Sequence, residues 1–130
     1  MAKTIDQLLA EARATYRRME PEEAHRAMSR GALLIDTRSH EQRVEGGLVP
    51  GAVRLHRNVL EWRVDPSSGH QDPRVAACRG EIIVMCQEGY SSSLAAATLQ
   101  QLGVERATDL AGGFVAWRDA GLPVEPYPGV

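Results

Sequence analysis

Only two cysteines stand among the 130 residues, so no disulfide framework holds this chain, and no paired Cys/His spacing marks a zinc site. Aromatic residues make up 5% of it, with a single Phe, which leaves a core to be built mainly from aliphatic side chains. Charge of one sign is missing too: 15 Lys and Arg meet 17 Asp and Glu, for a formal net charge of -2. Nucleic acid and anionic membrane surfaces are therefore not expected partners. No apolar stretch approaches membrane-spanning length, and Met1-Ala2-Lys3-Thr4-Ile5-Asp6 leads into polar sequence rather than a signal-peptide core. The expected location is cytoplasmic. Internal repeats, low-complexity tracts and linkers are absent as well, which predicts one domain over residues 1–130. What is present is 43% hydrophobic residues and 25% charged ones, a composition that folds around one core. Two thiols are left to explain.

The chain opens on an amphipathic pattern. Thr4 and Gln7 have capping-box spacing, and Ile5, Leu8, Leu9 and Ala12 recur at helical intervals, predicting a peripheral helix. A second helix is expected from Pro21, burying Ala24, Ala27 and Met28 and stopping at Gly31. Leu33-Leu34-Ile35 and Ile82-Ile83-Val84-Met85 are apolar runs without polar alternation, the mark of strands buried on both faces of a parallel sheet. A short strand is expected after the Gly/Pro cluster Gly46 to Ala52, a surface loop from Asp65 to His70, and a helix from Ser92 to Leu102 closed by Gly103. Thr108-Asp109-Leu110 reads as a last strand edge, and Gly112-Gly113 as the turn into a short helix holding Phe114 and Trp117. Alternating strands and helices predict an α/β domain with helices on both faces.

In open sheets of this kind ligands bind beyond the carboxyl ends of the strands. Cys86 stands at such an end, followed by a loop containing Gly89 and by a helix start near Ser92. Successive backbone amides in such a loop form an anion-binding nest, to which a helix N-terminus adds roughly half a positive charge. A thiol there titrates well below its ordinary value and is a competent nucleophile at neutral pH. The plainer alternative is a small buried hydrophobe that merely continues the strand.

Taken in order, Asp36-Thr37-Arg38, the Gly47-to-Ala52 turn, Val84-Met85-Cys86-Gln87-Glu88-Gly89, the Ser91-Ser92 helix start, Leu110 to Trp117 and Leu122-Pro123-Val124 resemble a rhodanese domain across roughly residues 20–124. The resemblance implies a five-stranded parallel sheet flanked by helices, and a cysteine cycling between thiolate and persulfide. It also implies a small-molecule or protein sulfur donor, such as thiosulfate, and an acceptor such as cyanide or a thiol. No metal or organic cofactor is implied. The chain departs from the family pattern at three places. Leu48 and Val49 stand where a His-Ile pair is frequent, Glu88 is the loop's only charge where many members carry a cation, and Ser92 stands where cysteine-loop phosphatases carry arginine.

The candidate site is thus Cys86 as sulfur carrier, with Gln87, Glu88, Gly89, Tyr90, Ser91 and Ser92 as the binding loop. Asp36 and Arg38 leave a strand at the same edge, either to orient the loop and meet substrate or to brace one another. Arg43 is an anion contact or a solvated helix residue, and Arg57 a pocket or a loop residue. Ser91 and Ser92 suit helix N-caps. Tyr90 suits a pocket wall, and Phe114 and Trp117 suit the core. Cys78 lies before the strand that Cys86 follows, too far for a disulfide at about 3.3 Å per strand residue, and is expected to be structural. Beside a sulfurtransferase, two classes stay open: a non-enzymatic sulfur-carrying, redox-sensing or binding module, and a phosphatase.

Overall fold

The structure is a computed structural model, and it describes residues 1–129. The two apolar runs form β1 (Leu33–Asp36) and β3 (Ile82–Met85), paired in parallel through all four residues of each. β2 (Val53–Arg54) lies outside β1, and β4 (Ala107–Asp109) lies outside β3, giving the order β2-β1-β3-β4. All pairings are parallel.

The sheet thus has four strands rather than the expected five. Where a fifth would flank β4, one residue pairs: the Met19 amide donates to the Asp109 carbonyl at 3.0 Å, and the Ala111 amide to the Met19 carbonyl at 2.8 Å. The strand cannot lengthen, because Glu20 caps the next helix and Pro21 begins it. Proline has no amide to continue a ladder and its fixed φ suits a first helical turn.

Neighbouring strand residues alternate between two apolar clusters. Ile35, Val53, Ile82 and Val84 face Leu60 and Val64 of α4 (Leu60–Val64), Val75 of α5 (Pro73–Ala77), and Ala95 and Leu99 of α6 (Ser91–Gln101). Leu34, Ile83 and Met85 face Ala24 and Ala27 of α2 (Pro21–Ser29) and Phe114 and Trp117 of α7 (Gly113–Asp119). Helices therefore cover both faces, and each large side chain buried between them contributes roughly 1.5–3 kcal/mol. Trp117 keeps its indole N–H satisfied by the Pro123 carbonyl at 2.8 Å, as burial of that ring demands.

The opening helix α1 (Ile5–Arg13) carries the expected capping box between Thr4 and Gln7. It is less peripheral than its pattern suggested, because it packs along α6 and buries Ala12. The remaining helix, α3 (His40–Gly46), is capped by Ser39 and follows the end of β1. Among the described residues no helix is long and apolar enough to cross a membrane.

Candidate functional site

Cys86 is the first residue beyond β3, and its side chain turns under the loop that leads to α6. The sulfur is 3.1 Å from the Gly89 amide nitrogen and 3.4 Å from that of Ser92, both as donors. The loop closes this tightly because Gly89 adopts φ +88°, and a β-carbon there would meet the Gly112 nitrogen at 2.7 Å. Only glycine combines that backbone with that contact. The loop carbonyls point elsewhere. Those of Cys86 and Gln87 accept from the Phe114 and Val115 amides of α7 at 2.9 and 3.1 Å, so acceptors face α7 while donors face the sulfur.

Two influences on the thiol oppose each other. Burial disfavours its charged form, whereas the Ser92 and Ser91 hydroxyls and the Ser92 and Gly89 amides favour it, and the donors prevail, holding the Cys86 pKa below the usual thiol value. The Ser92 hydroxyl already donates to Asp109 at 2.7 Å, so the backbone amides are the donors committed to the sulfur.

The sulfur opens onto a depression of about 330 Å³, walled by Thr37, Arg38 and Gln42 on one side and by Gln87, Glu88, Tyr90 and Ser91 on the other. A larger hollow of about 510 Å³ lies at the opposite end of β3, around Val75, Ile82 and Val104, and no thiol or hydroxyl side chain lines it. Size does not identify the site here; the amide-lined sulfur does.

Arg38 is a brace. It is fully buried, bonds both carboxylate oxygens of Asp36 at 3.1 and 2.9 Å, donates to the Gly47 carbonyl at 2.7 Å, and lies 3.8 Å from the centre of the Phe114 ring. Arg43 Nε lies 3.6 Å from Asp36, its guanidinium sits over the Tyr127 ring, its side chain is 15% exposed, and it does not line the depression. Arg57 pairs with Glu61 one helical turn on, at 2.9 Å, and does not line the depression. Ser91 and Ser92 are not caps either, since Tyr90 occupies that position and the serines are already helical. Tyr90 is an exposed wall residue, with the Arg13 guanidinium 5.8 Å over its ring. Glu88 is exposed at the rim.

Beneath the loop lies a polar network that single motifs do not announce. Asp109, fully buried at the end of β4, accepts from Tyr16 at 2.8 Å, from Arg18 at 2.9 and 3.0 Å, and from the Ser92 and Ser93 hydroxyls at 2.7 and 3.0 Å. Burial, with Asp109 alongside, raises the Tyr16 pKa and keeps its hydroxyl protonated as a donor. The available sequence signal was Asp109 itself, a carboxylate in a segment read as a strand edge, which must find partners when buried.

A strand end, an amide-lined thiol and a helix N-terminus define an α/β cysteine-loop domain. The family model "Rhodanese-like domain" matches residues 20–120, and the chain belongs to that family. It is 32% identical over 114 residues to the thiosulfate sulfurtransferase GlpE of Ectopseudomonas mendocina, covering 88% of this chain and 94% of that one. A sulfurtransferase of Allochromatium vinosum is 29% identical over 92 residues, 71% of this chain and 77% of that one. Among solved structures, a protein of unknown function from Rhodopseudomonas palustris, described as a possible tyrosine phosphatase, superposes with a TM-score of 0.86 at 30% identity, covering 96% of each chain.

Proposed function

We propose that this protein is a sulfurtransferase in which Cys86 carries the sulfur as a persulfide. The observation that carries this reading is the pair of amides, from Gly89 and Ser92, directed at a thiol whose pKa is lowered. They favour the thiolate that attacks, and equally the persulfide that results, because both are anionic sulfur in the same nest. In the first half-reaction the thiolate attacks the outer sulfur of the donor. A new S–S bond forms, the donor's bond to that sulfur breaks, and the leaving group departs with the electron pair, as sulfite if the donor is thiosulfate. In the second, cyanide or a thiolate attacks the terminal sulfur, giving thiocyanate or a new persulfide, and Cys86 leaves as thiolate. No base is required once the thiol is ionised. The kinship with thiosulfate sulfurtransferases supports this chemistry. Glu88 at the rim favours donors less negative than thiosulfate, such as organic or protein-bound persulfides.

Intact mass after incubation with thiosulfate and with an organic persulfide tests it. The expected result is a gain of one sulfur at Cys86 that cyanide removes; no gain with either donor overturns the reading.

A phosphatase is the second reading, motivated by the relative from Rhodopseudomonas palustris. Phosphoryl transfer needs cationic donors on the equatorial oxygens. The loop from Gln87 to Ser92 has none, and the Ser92 side chain points to Asp109 instead. Turnover of an aryl phosphate that depends on Cys86 would reverse the ranking.

A further inference from the structure

Arg13 and Arg18 precede residue 20, ahead of the segment matched by the family model, yet both reach the candidate site. They meet at one atom. The Gly89 carbonyl accepts from Arg13 Nη2 at 2.9 Å and from Arg18 Nη2 at 2.9 Å. Each guanidinium uses its fork in the same way, one arm on Gly89 and the other on the frame below: Arg13 Nε holds Ser93 Oγ at 2.9 Å, and Arg18 Nε holds Asp109 at 2.9 Å. Gly89 is the residue whose amide meets the sulfur at 3.1 Å, so the two arginines grip the loop from behind at its point of contact. Hydrogen bonds from charged donors are roughly twice as strong as neutral ones. A turn that needed only closure has no use for two of them on a single carbonyl.

The pair also supplies what the loop lacks. Residues 87–92 include no Lys or Arg, and Glu88 is their only charge. The Arg18 side chain is 21% exposed, so its charge is screened less than a surface charge would be. The influence is mutual. Burial works against the Arg18 cation, but its bond to Asp109 and the nearby charges of Asp109 and the Cys86 thiolate outweigh this and strengthen its hold on the proton.

We propose that Arg13 and Arg18 are positioning residues: they fix Gly89 so that its amide addresses the Cys86 sulfur, and they provide from the N-terminal segment the positive charge that the loop omits. This rests on Cys86 being the reactive sulfur. It makes α1 and the turn after it a working part of the site rather than an appendage to the domain.

The test is the pH dependence of Cys86 alkylation by iodoacetamide, read by intact mass in the full chain carrying Cys78→Ala so that one thiol reports. Arg13→Gln and Arg18→Gln should each move the midpoint up by about half a unit, and the double variant by about one unit, or roughly tenfold lower thiolate at a pH well below the midpoint. Arg18→Lys should recover part of the shift, since it restores charge but not the fork. Thermal unfolding identifies the folded variants. If Arg18→Gln does not fold, Arg13→Gln, whose side chain makes no bond to Asp109, decides alone. Midpoints within about a tenth of a unit of the parent in the folded variants overturn the proposal. Because alkylation needs no sulfur donor, a parent protein that takes up no sulfur would refute the proposed function while leaving these midpoints to judge the arginines.

Discussion

Cys78 and Cys86 are the same residue at the two ends of one strand, and they are almost equally buried, at 9% and 7% exposure. Their surroundings are opposite. The Cys78 sulfur lies 3.4 Å from the Gly31 carbonyl oxygen, 3.5 Å from that of Gly80 and 3.8 Å from that of Glu81, a ring of acceptors for its S–H. Cys86 has amide donors instead. Burial therefore does not decide what a thiol does; the direction of the nearest peptide dipoles does. In a parallel sheet those dipoles differ systematically between the ends, because loops at the carboxyl edge lead into helix N-termini.

The comparison is broken most completely by Cys86→Ala, which should abolish thiosulfate:cyanide sulfur transfer while circular dichroism and melting stay near those of the parent. Undiminished transfer would mean that the donors around Cys86 serve something else. Next comes Gly89→Ala, which strains a φ of +88° and presses a methyl against the Gly112 nitrogen. Displacing one donor from a developing anion costs on the order of a hundredfold in rate, so kcat should fall by about that much, with the alkylation midpoint moving up. Cys78→Ala should act on the other axis. It removes a small buried side chain and lowers stability to urea by about 1 kcal/mol, leaving sulfur transfer unchanged. Glu88→Gln is the gentlest: removing an exposed rim charge should lower KM for thiosulfate a few-fold at low ionic strength and less in salt.

The pH dependence follows from the direction of the Cys86 shift. Its folded pKa lies below the ordinary thiol value, which the unfolded chain retains. Ionisation of Cys86 therefore contributes stability above that unfolded value, and the contribution fades as pH falls through the folded one. Alkylation should accordingly persist below the pH at which an ordinary thiol becomes unreactive, and then decline tenfold per unit. Cys78 should stay unmodified while the chain is folded, and rapid labelling there would undo the contrast.

Much of this was legible in the sequence. The uninterrupted apolar runs at Leu33 and Ile82 announced buried parallel strands, and a cysteine followed by Gly89 and a helix start announced the nest. The fifth strand did not appear because Pro21 converts the chain to helix immediately after Met19. Helices α4 and α5 went unseen because each is five residues long, too short for a periodic pattern to stand out. The serines at 91 and 92 looked like caps on propensity alone, but the buried Asp109 carboxylate claims the Ser92 hydroxyl. Two more of its partners, Tyr16 and Arg18, lie more than 90 positions away in the chain, a separation at which no local spacing speaks. Asp36 and Arg38, two residues apart, were legible as a possible brace for the opposite reason.

The single ladder step at Met19 matters beyond the count of strands. It sits on the outer side of β4, and β2 at the far side of the sheet extends only two residues. Open strand edges are the usual templates on which a second chain adds itself during refolding or at high concentration. Here one edge is occupied by the chain's own backbone and the other is too brief to guide a partner, so the sheet gives intermolecular β-pairing little to copy.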